Sequence, residues 1–319
     1  MLIDNLKAIV DKNKKETNFV FLRNLLKETL QCYVLNYVYS SEWGKSFLFK
    51  GGTCLRFCFD FPRLSEDLDF DIKNYQKFDI KIFDNDLKNY FAKQLQYKEI
   101  ETKIAGNNKQ FFLKFPIMEQ LGFKKNRSES NLLFLRLDLN STDSSIFKEK
   151  ISLYSSRDFN FIIKRYSLAD LFASKITAIL QRSFLKGKKD LITFKGRDYF
   201  DLIWFLERGV KPNFQRLKDI TGFDKKVVSK KLDEKVNAID IKYLKEDLSP
   251  LFASQKFVNE FCGNFKKLYE KHRCPHCGSV FTYLETARSV GASPETSLPQ
   301  LTNFTYKCNI CEKAFHDTS

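Results

Sequence analysis

Residues 50–72 read KGGTCLRFCFDFPRLSEDLDFDI, and the two ends of this stretch decide the fold. Before it, Phe47-Leu48-Phe49 is a short, continuously apolar run of the kind a buried strand carries. Gly51-Gly52 ends that strand, and Thr53 can cap the short helix bearing Leu55 and Phe59, which Pro62 closes. From Leu68 to Ile72 the pattern alternates, with Leu68, Phe70 and Ile72 on one side and Asp67, Asp69 and Asp71 on the other. That is strand periodicity with an acidic face.

Working outward, Leu22, Leu25, Leu26, Leu30, Val34, Tyr37 and Val38 recur at three or four residues, which predicts an amphipathic helix over about 17–39. A helix is expected over about 80–95. Strands are expected near 98–104, 109–117, 131–140 and 160–166, with Asn107-Asn108 as a turn. From Ser167 the pattern becomes helical, with further helices near 197–208, 212–220, 224–237 and 254–272. The last 48 residues carry paired cysteines, Gly, Pro and Ser with little periodicity. Three parts follow: an α/β domain over 1–166, a helical domain over 167–272 and a small cysteine-rich domain over 273–319.

The 319 residues are 43% hydrophobic, ordinary for a globular chain. The 33 Phe read as core residues standing in for other apolar types. Net charge is +15 and unevenly spread: Lys175 to Lys231 holds fifteen Lys/Arg against six Asp/Glu. Such a surface suits a polyanion, because neutralised phosphates release condensed counterions; a solvated lysine-rich face accounts for it equally well. No segment approaches the roughly 20 apolar residues that span a bilayer. The charged start, MLIDNLKAIVDKNKKE, lacks a signal-peptide apolar region, so a cytoplasmic protein without membrane contact is expected. Cys32, Cys54, Cys58 and Cys262 are expected to be reduced, small apolar residues.

The chemistry lies in the conjunction of the Gly-Gly turn and the acidic strand. A strand–Gly-Gly–helix turn lets backbone N–H groups approach a phosphate, and the helix N-terminus adds a favourable dipole. The Thr53 hydroxyl can add a further contact. Asp67 and Asp69 are two apart on a strand, so both point the same way and can hold a pair of Mg²⁺ ions with substrate phosphates. Asp71 shares their face but lies further along. Asp138, within Leu133 to Leu139, shares a face with Phe134 and Arg136 while Leu137 and Leu139 turn away. It can bind one metal or take a proton from an attacking hydroxyl; alternatively it is a salt-bridge partner of Arg136. Lys175 falls at the apolar boundary of a helix with Leu171, Phe172, Ile176 and Ile179, where it can neutralise triphosphate or leaving pyrophosphate charge, or snorkel at the surface. Asp198 can cap the helix opened by Gly196 or orient Lys175 or Arg197, and Asp201 can pair with a local cation.

With these residues in view, KGGTCLRFCFDFPRLSEDLDF resembles the first motif of the AbiEii/AbiGii toxin family. These are nucleotidyltransferases of the DNA polymerase β-like superfamily that includes the MenT toxins. The family pattern, a Gly-Gly-Thr/Ser turn then Arg-x-Ser-x-Asp-hydrophobic-Asp, falls on Gly51, Gly52, Thr53, Arg63, Ser65, Asp67 and Asp69. A second block, YSLADLFASKITAILQR then KGRDYFDLIWFL, places Lys175, Arg182, Arg197, Asp198 and Asp201 where the family has a Lys and an Arg-Asp-x-x-Asp element. The resemblance covers about 20–210. It implies an α+β fold with a polymerase β-like mixed sheet followed by a helical lobe. It implies transfer of a nucleoside monophosphate from an NTP, with pyrophosphate leaving, in a bacterial toxin–antitoxin or phage-defence setting. Arg63 and Ser65 join the nucleotide-binding set by this resemblance alone, and in some relatives a Ser at this position itself becomes modified. In MenT-type members the acceptor is the 3′ end of tRNA, and AbiE systems have a separate antitoxin protein.

The tail departs from the family pattern. Cys274-Pro-His-Cys277 and Cys308-Asn-Ile-Cys311 form two Cys-x₂-Cys pairs thirty residues apart, the signature of a closed four-thiolate Zn²⁺ site. VFTYLET and LTNFTYK read as strands of a zinc ribbon. That ribbon can grip RNA through Lys271, His272, Arg273, Lys307, Lys313, Phe304 and Tyr306, or serve as a structural cap or antitoxin-binding surface. The expected whole is an enzyme in which Asp67 and Asp69 hold two Mg²⁺, Asp138 is the third acid, Gly51, Gly52, Thr53 and Lys175 bind triphosphate, and Asp198 supports the site. The alternatives are nucleotidylation of a protein partner, or an inactive zinc protein that binds nucleic acid.

Overall fold

The computed structural model describes residues 2–13, 18–123, 130–181, 194–290 and 300–316. The chain divides into two compact units, Met1–Ser167 with Ser249–Gln255, and Leu168–Leu248 with Lys256–Ser319. The cysteine-rich tail is grouped with the helices in the second of these units. A short return, 249–255, rejoins the first unit by hydrogen bonds: Leu64 N–H to the Leu251 carbonyl at 3.0 Å and Asn24 Nδ2 to the Pro250 carbonyl at 3.0 Å.

The first unit opens with α1 (Leu2–Lys12) and α2 (Phe19–Tyr39), followed by β1 (Phe47–Lys50), α3 (Gly51–Phe59), β2 (Asp67–Ile72) and α4 (Ile80–Asn89). A single π-helical turn, Tyr90–Gln94, extends α4, and β3 (Glu101–Ala105), β4 (Gln110–Pro116), β5 (Leu132–Asn140), β6 (Glu149–Ser155) and β7 (Asn160–Tyr166) complete the unit. The seven strands form one sheet in the order β3-β4-β5-β2-β1-β7-β6. β2 runs parallel to β5 and β1 parallel to β7, while the other neighbours are antiparallel. The mixed sheet expected from the sequence is therefore present, with β6 added at one edge.

Alternation gives the sheet two faces of different character. Leu68, Phe70 and Ile72 of β2 and Leu133, Leu135, Leu137 and Leu139 of β5 are all at most 2% exposed. Phe49 of β1 stacks on Phe70 and Phe47 meets it edge-on, at 5.2 Å each, and Phe83 of α4 lies 5.3 Å from Phe47. Each such ring contributes roughly 1.5–3 kcal/mol by burial and about 1 kcal/mol more through ring geometry. The abundant Phe is core, as read from composition. The opposite face carries Asp67, Asp69 and Asp71 on β2 and Phe134, Arg136 and Asp138 on β5. α2 is capped by Asn18, whose Oδ1 accepts from Phe21 N–H at 3.1 Å, and it buries Leu22, Leu26, Leu30, Val34 and Val38.

The second unit comprises α5 (Leu168–Gln181), α6 (Gly196–Glu207), α7 (Phe214–Thr221), α8 (Lys225–Asn237), α9 (Ile241–Leu248) and α10 (Gln255–Glu270). A three-stranded sheet follows, β8 (Thr282–Val290), β9 (Gln300–Cys308) and β10 (Ala314–His316), in the order β10-β9-β8. Phe172 of α5 stacks on Phe205 of α6 at 4.4 Å. Phe281, just before β8, lies 5.4 Å from Phe214 and 6.3 Å from Phe172, so the small sheet is anchored in the helical core.

Candidate active site and metal centre

The acidic cluster is built by register. β2 and β5 are parallel neighbours in which Asp69 is the Cα partner of Asp138 and Asp67 the partner of Arg136. Adjacent strands lie about 4.8 Å apart. Three carboxylates from two strands therefore share one patch of the open face, and their side chains are part-buried: Asp67 is 20% exposed and Asp138 21%. One Arg136 nitrogen, Nη2, reaches Asp67 Oδ2 at 2.7 Å and Asp138 Oδ2 at 3.1 Å. The salt-bridge reading of Asp138 is thus realised in this state, on the same face as the paired acids.

The Gly-Gly turn abuts these acids. Gly51 opens α3 with φ +79°, a left-handed backbone that glycine adopts without penalty. A Cβ placed there would lie 2.0 Å from Asp69 Oδ2, so the carboxylate lies hard against the turn. At Gly52 a Cβ would meet an Arg63 guanidinium nitrogen at 2.7 Å and Ser65 Oγ at 3.0 Å. Arg63 is 1% exposed and donates to the Leu64 carbonyl at 2.9 Å, with its guanidinium 4.9 Å above the Phe61 ring. Ser65 is 7% exposed and its carbonyl accepts from Gln31 Nε2 at 2.9 Å. Both residues therefore buttress the turn from inside the protein.

Two expectations about this segment change. Thr53 does not cap α3. The helix begins two residues earlier, at Gly51, with Lys50 as an N-cap that makes no side-chain bond. Thr53 is fully buried and its hydroxyl donates to the Asp67 carbonyl, tying the first turn of α3 to the start of β2. A hydroxyl so placed positions the acidic strand instead of facing a phosphate. Asp71, although in phase with Asp67 and Asp69, is fully buried and paired: Lys50 Nζ lies 2.5 Å from Oδ1, and the Tyr166 hydroxyl donates to Oδ2 at 2.6 Å. Burial pushes its carboxyl above the ordinary carboxylate range, against the opposing pull of Lys50. Asp71 is a structural acid.

In the second unit Lys175 of α5 is clamped by two acids of α6, Asp198 at 2.8 Å and Asp201 at 2.7 Å. All three are largely buried, at 13%, 4% and 0% exposure of the side chains. Asp198 thus orients Lys175, one of the roles open to it, and Asp201 joins the same ammonium. Arg182, which the second motif included, lies outside the described residues.

The cysteine cluster is the group among the described residues whose metal-ligating atoms all fall within 4.8 Å of one another. Cys274 Sγ to Cys311 Sγ is 3.7 Å and Cys277 Sγ to Cys308 Sγ is 3.6 Å. A tetrahedron with Zn–S of about 2.3 Å has edges of roughly 3.8 Å, whereas a disulfide needs about 2.05 Å. The four thiols fit Zn²⁺. Three of the residues read as an RNA grip also make ion pairs or close polar contacts within the second unit. Arg273 pairs with Glu270 and with Asp233 at 3.2 Å, and Lys271 and His272 each reach Glu207 at 3.3 Å. Tyr306 stacks on Phe315 at 5.9 Å.

The acidic cluster carries the donor type that a hard divalent cation takes. It offers hard oxygen donors from neighbouring strands on one face, with a cationic nitrogen already touching two of them. Residues 34–261 match the family described as "Nucleotidyl transferase AbiEii toxin, Type IV TA system", and the chain belongs to that family. It is a nucleotidyltransferase of the toxin–antitoxin class, for which the family implies an NTP substrate, a divalent metal and an antitoxin partner. Two solved Helicobacter pylori structures are similar. One, described as a candidate nucleotidyltransferase, is 14% identical, with 77% of this chain and 95% of that one covered and a TM-score of 0.40. The other, JHP933, is 17% identical over 76% and 95%, with a TM-score of 0.38. No curated protein matches the chain. Among the described residues, no helix is long and apolar enough to cross a membrane.

Proposed function

We propose that the enzyme is a Mg²⁺-dependent toxin that moves a nucleoside monophosphate from an NTP to the 3′ end of tRNA, in a toxin–antitoxin or phage-defence setting. The observation that carries this reading is the register that sets Asp69 beside Asp138 and against Gly51. Asp67, Asp69 and Asp138 would hold two Mg²⁺. The ions would supply charge neutralisation and orientation at the α-phosphate. Gly51 and Gly52 open the nine-residue helix α3, whose N-terminus favours an anion, and Arg63 and Ser65 hold that turn in shape.

In the step itself an acceptor hydroxyl oxygen bonds to the α-phosphorus as the bond to the bridging oxygen breaks. Pyrophosphate leaves with that oxygen, and Asp138 would take the hydroxyl proton. Lys175 and Asp198, an ion-paired cluster with Asp201 in the second unit, are given a part in the reaction by the family resemblance. The tRNA acceptor is supported by the net charge of +15 and its concentration between Lys175 and Lys231. The test is incubation of the purified chain with tRNA and each labelled NTP. Label appearing at the tRNA 3′ end, lost in Asp67→Asn and Asp69→Asn, supports the reading; no labelled RNA with any NTP refutes it.

A further inference from the structure

Arg136 is unusually placed for a guanidinium. It is the Cα partner of Asp67 on β2 and of Phe112 on β4, at the centre of the open face. A single nitrogen contacts one oxygen from each of two acids on different strands. Its Nε, by contrast, is buried without a hydrogen-bond partner. An Arg at rest in a carboxylate cluster normally satisfies its whole fork. Here the side chain gives up one donor in order to bridge Asp67 and Asp138. Lys50, the Cα partner of Asp69 on β1, pairs with Asp71. Arg136 therefore offsets part of the like-charge repulsion among Asp67, Asp69 and Asp138, and it does so through the very oxygens that a divalent ion would require.

We propose that Arg136 is the resident counter-cation of the acidic cluster: it bridges Asp67 and Asp138 in the nucleotide-free enzyme, competes with divalent metal for them, and on leaving turns its charge to the substrate phosphates. This rests on the reading of Asp67, Asp69 and Asp138 as metal ligands. A guanidinium on those oxygens repels a divalent ion brought to contact distance, so metal loading and the Arg136 bridge oppose one another. The freed guanidinium, with its planar fork, suits a phosphate group.

The test is Mn²⁺ binding to the full chain by titration calorimetry, with no nucleotide present, for wild type, Arg136→Gln and Arg136→Lys. Arg136→Gln is expected to bind Mn²⁺ about three- to tenfold more tightly, the lower part of the range for a charge-assisted contact because the groups are part-exposed. Its metal-free melting temperature falls, because three carboxylates lose their cation. Its KM for NTP rises in spite of the tighter metal. Arg136→Lys, which keeps the charge but not the fork, gives an intermediate affinity and decides the matter if the Gln variant fails to fold. Wild-type or weaker Mn²⁺ affinity in both variants overturns the proposal. An Asp67→Asn/Asp69→Asn control separates the two levels. If that control binds Mn²⁺ as wild type does, the metal-ligand reading itself has failed; if it abolishes binding while the Arg136 variants change nothing, only the role of Arg136 has.

Discussion

Replacing Gly51 by Ala tests the link between the turn and the acids with one methyl group. Two penalties follow from the geometry. At φ +79° an L-residue costs about 1–2 kcal/mol that glycine avoids. The new Cβ would also lie 2.0 Å from Asp69 Oδ2 and 2.8 Å from its Cγ, where ordinary contact begins near 3.4 Å. The carboxylate must move by roughly 1.4 Å, and displacement of about 1 Å at a reacting centre costs on the order of 10²-fold in rate. For a unit of this size the backbone cost lowers the melting temperature by about 2–8 °C.

The two readouts separate position from folding. Label transfer from NTP should fall about a hundredfold in Gly51→Ala, at a temperature where circular dichroism shows the protein folded. Gly52→Ala is the contrast. Its Cβ meets the buried Arg63 at 2.7 Å and leaves Asp69 untouched, so stability is affected first. Activity of Gly51→Ala within threefold of wild type would refute the claim that the turn fixes the Asp69 carboxylate.

Three further outcomes are expected. Lys175→Met leaves Asp198 and Asp201 buried without their shared cation and should cost about 3–5 kcal/mol in denaturant unfolding; adding Asp198→Asn and Asp201→Asn should recover much of that stability, and no recovery would contradict the assigned cause. Removing Zn²⁺ with a chelator, or Cys277→Ser, should expose the segment between Cys277 and Cys308 to limited proteolysis, because a ribbon this small depends on its metal; equal protease resistance with and without metal counts against a zinc site. Asp71 has a folded pKa raised above its ordinary value of 3.8, so its contribution is present below that value and is lost as pH rises through the raised one. The melting temperature of Asp71→Asn relative to wild type should accordingly increase between pH 4 and pH 7, and a constant difference would contradict the assigned cause.

The parts of the site that were legible in the sequence are those where periodicity and chemistry coincide. Asp67 and Asp69 announce themselves because Leu68, Phe70 and Ile72 fix the phase of β2, and Leu133 to Leu139 do the same for Asp138. What the sequence could not convey was how polar groups on a shared face divide among partners. Asp71 has the same phase as Asp67 and Asp69, yet Lys50 and Tyr166 claim it, and Tyr166 comes from a strand 95 residues away. Thr53 looked free to meet a phosphate until the return of β2 brought the Asp67 carbonyl to its hydroxyl. β6 escaped notice because it is an edge strand whose apolar residues, Ile151 and Leu153, are 65% and 72% exposed, the reverse of the pattern that marks a core strand. The Ser249–Gln255 return carries no periodic signal at all, since backbone carbonyls make its hydrogen bonds.

The same reasoning separates acids that can work from acids that hold structure. Asp71 lost its solvent and gained a permanent cation, and a carboxylate in that state has nothing left to offer a substrate. Asp67 and Asp138 are part-exposed, and their cation sits on a long side chain whose Nε lacks a partner. An ion pair between part-exposed groups is held less firmly than a buried one, because solvent screens it. If Arg136 is the exchangeable counter-cation proposed above, its contrast with Lys50 on Asp71 divides β2 into a scaffold end and a chemical end.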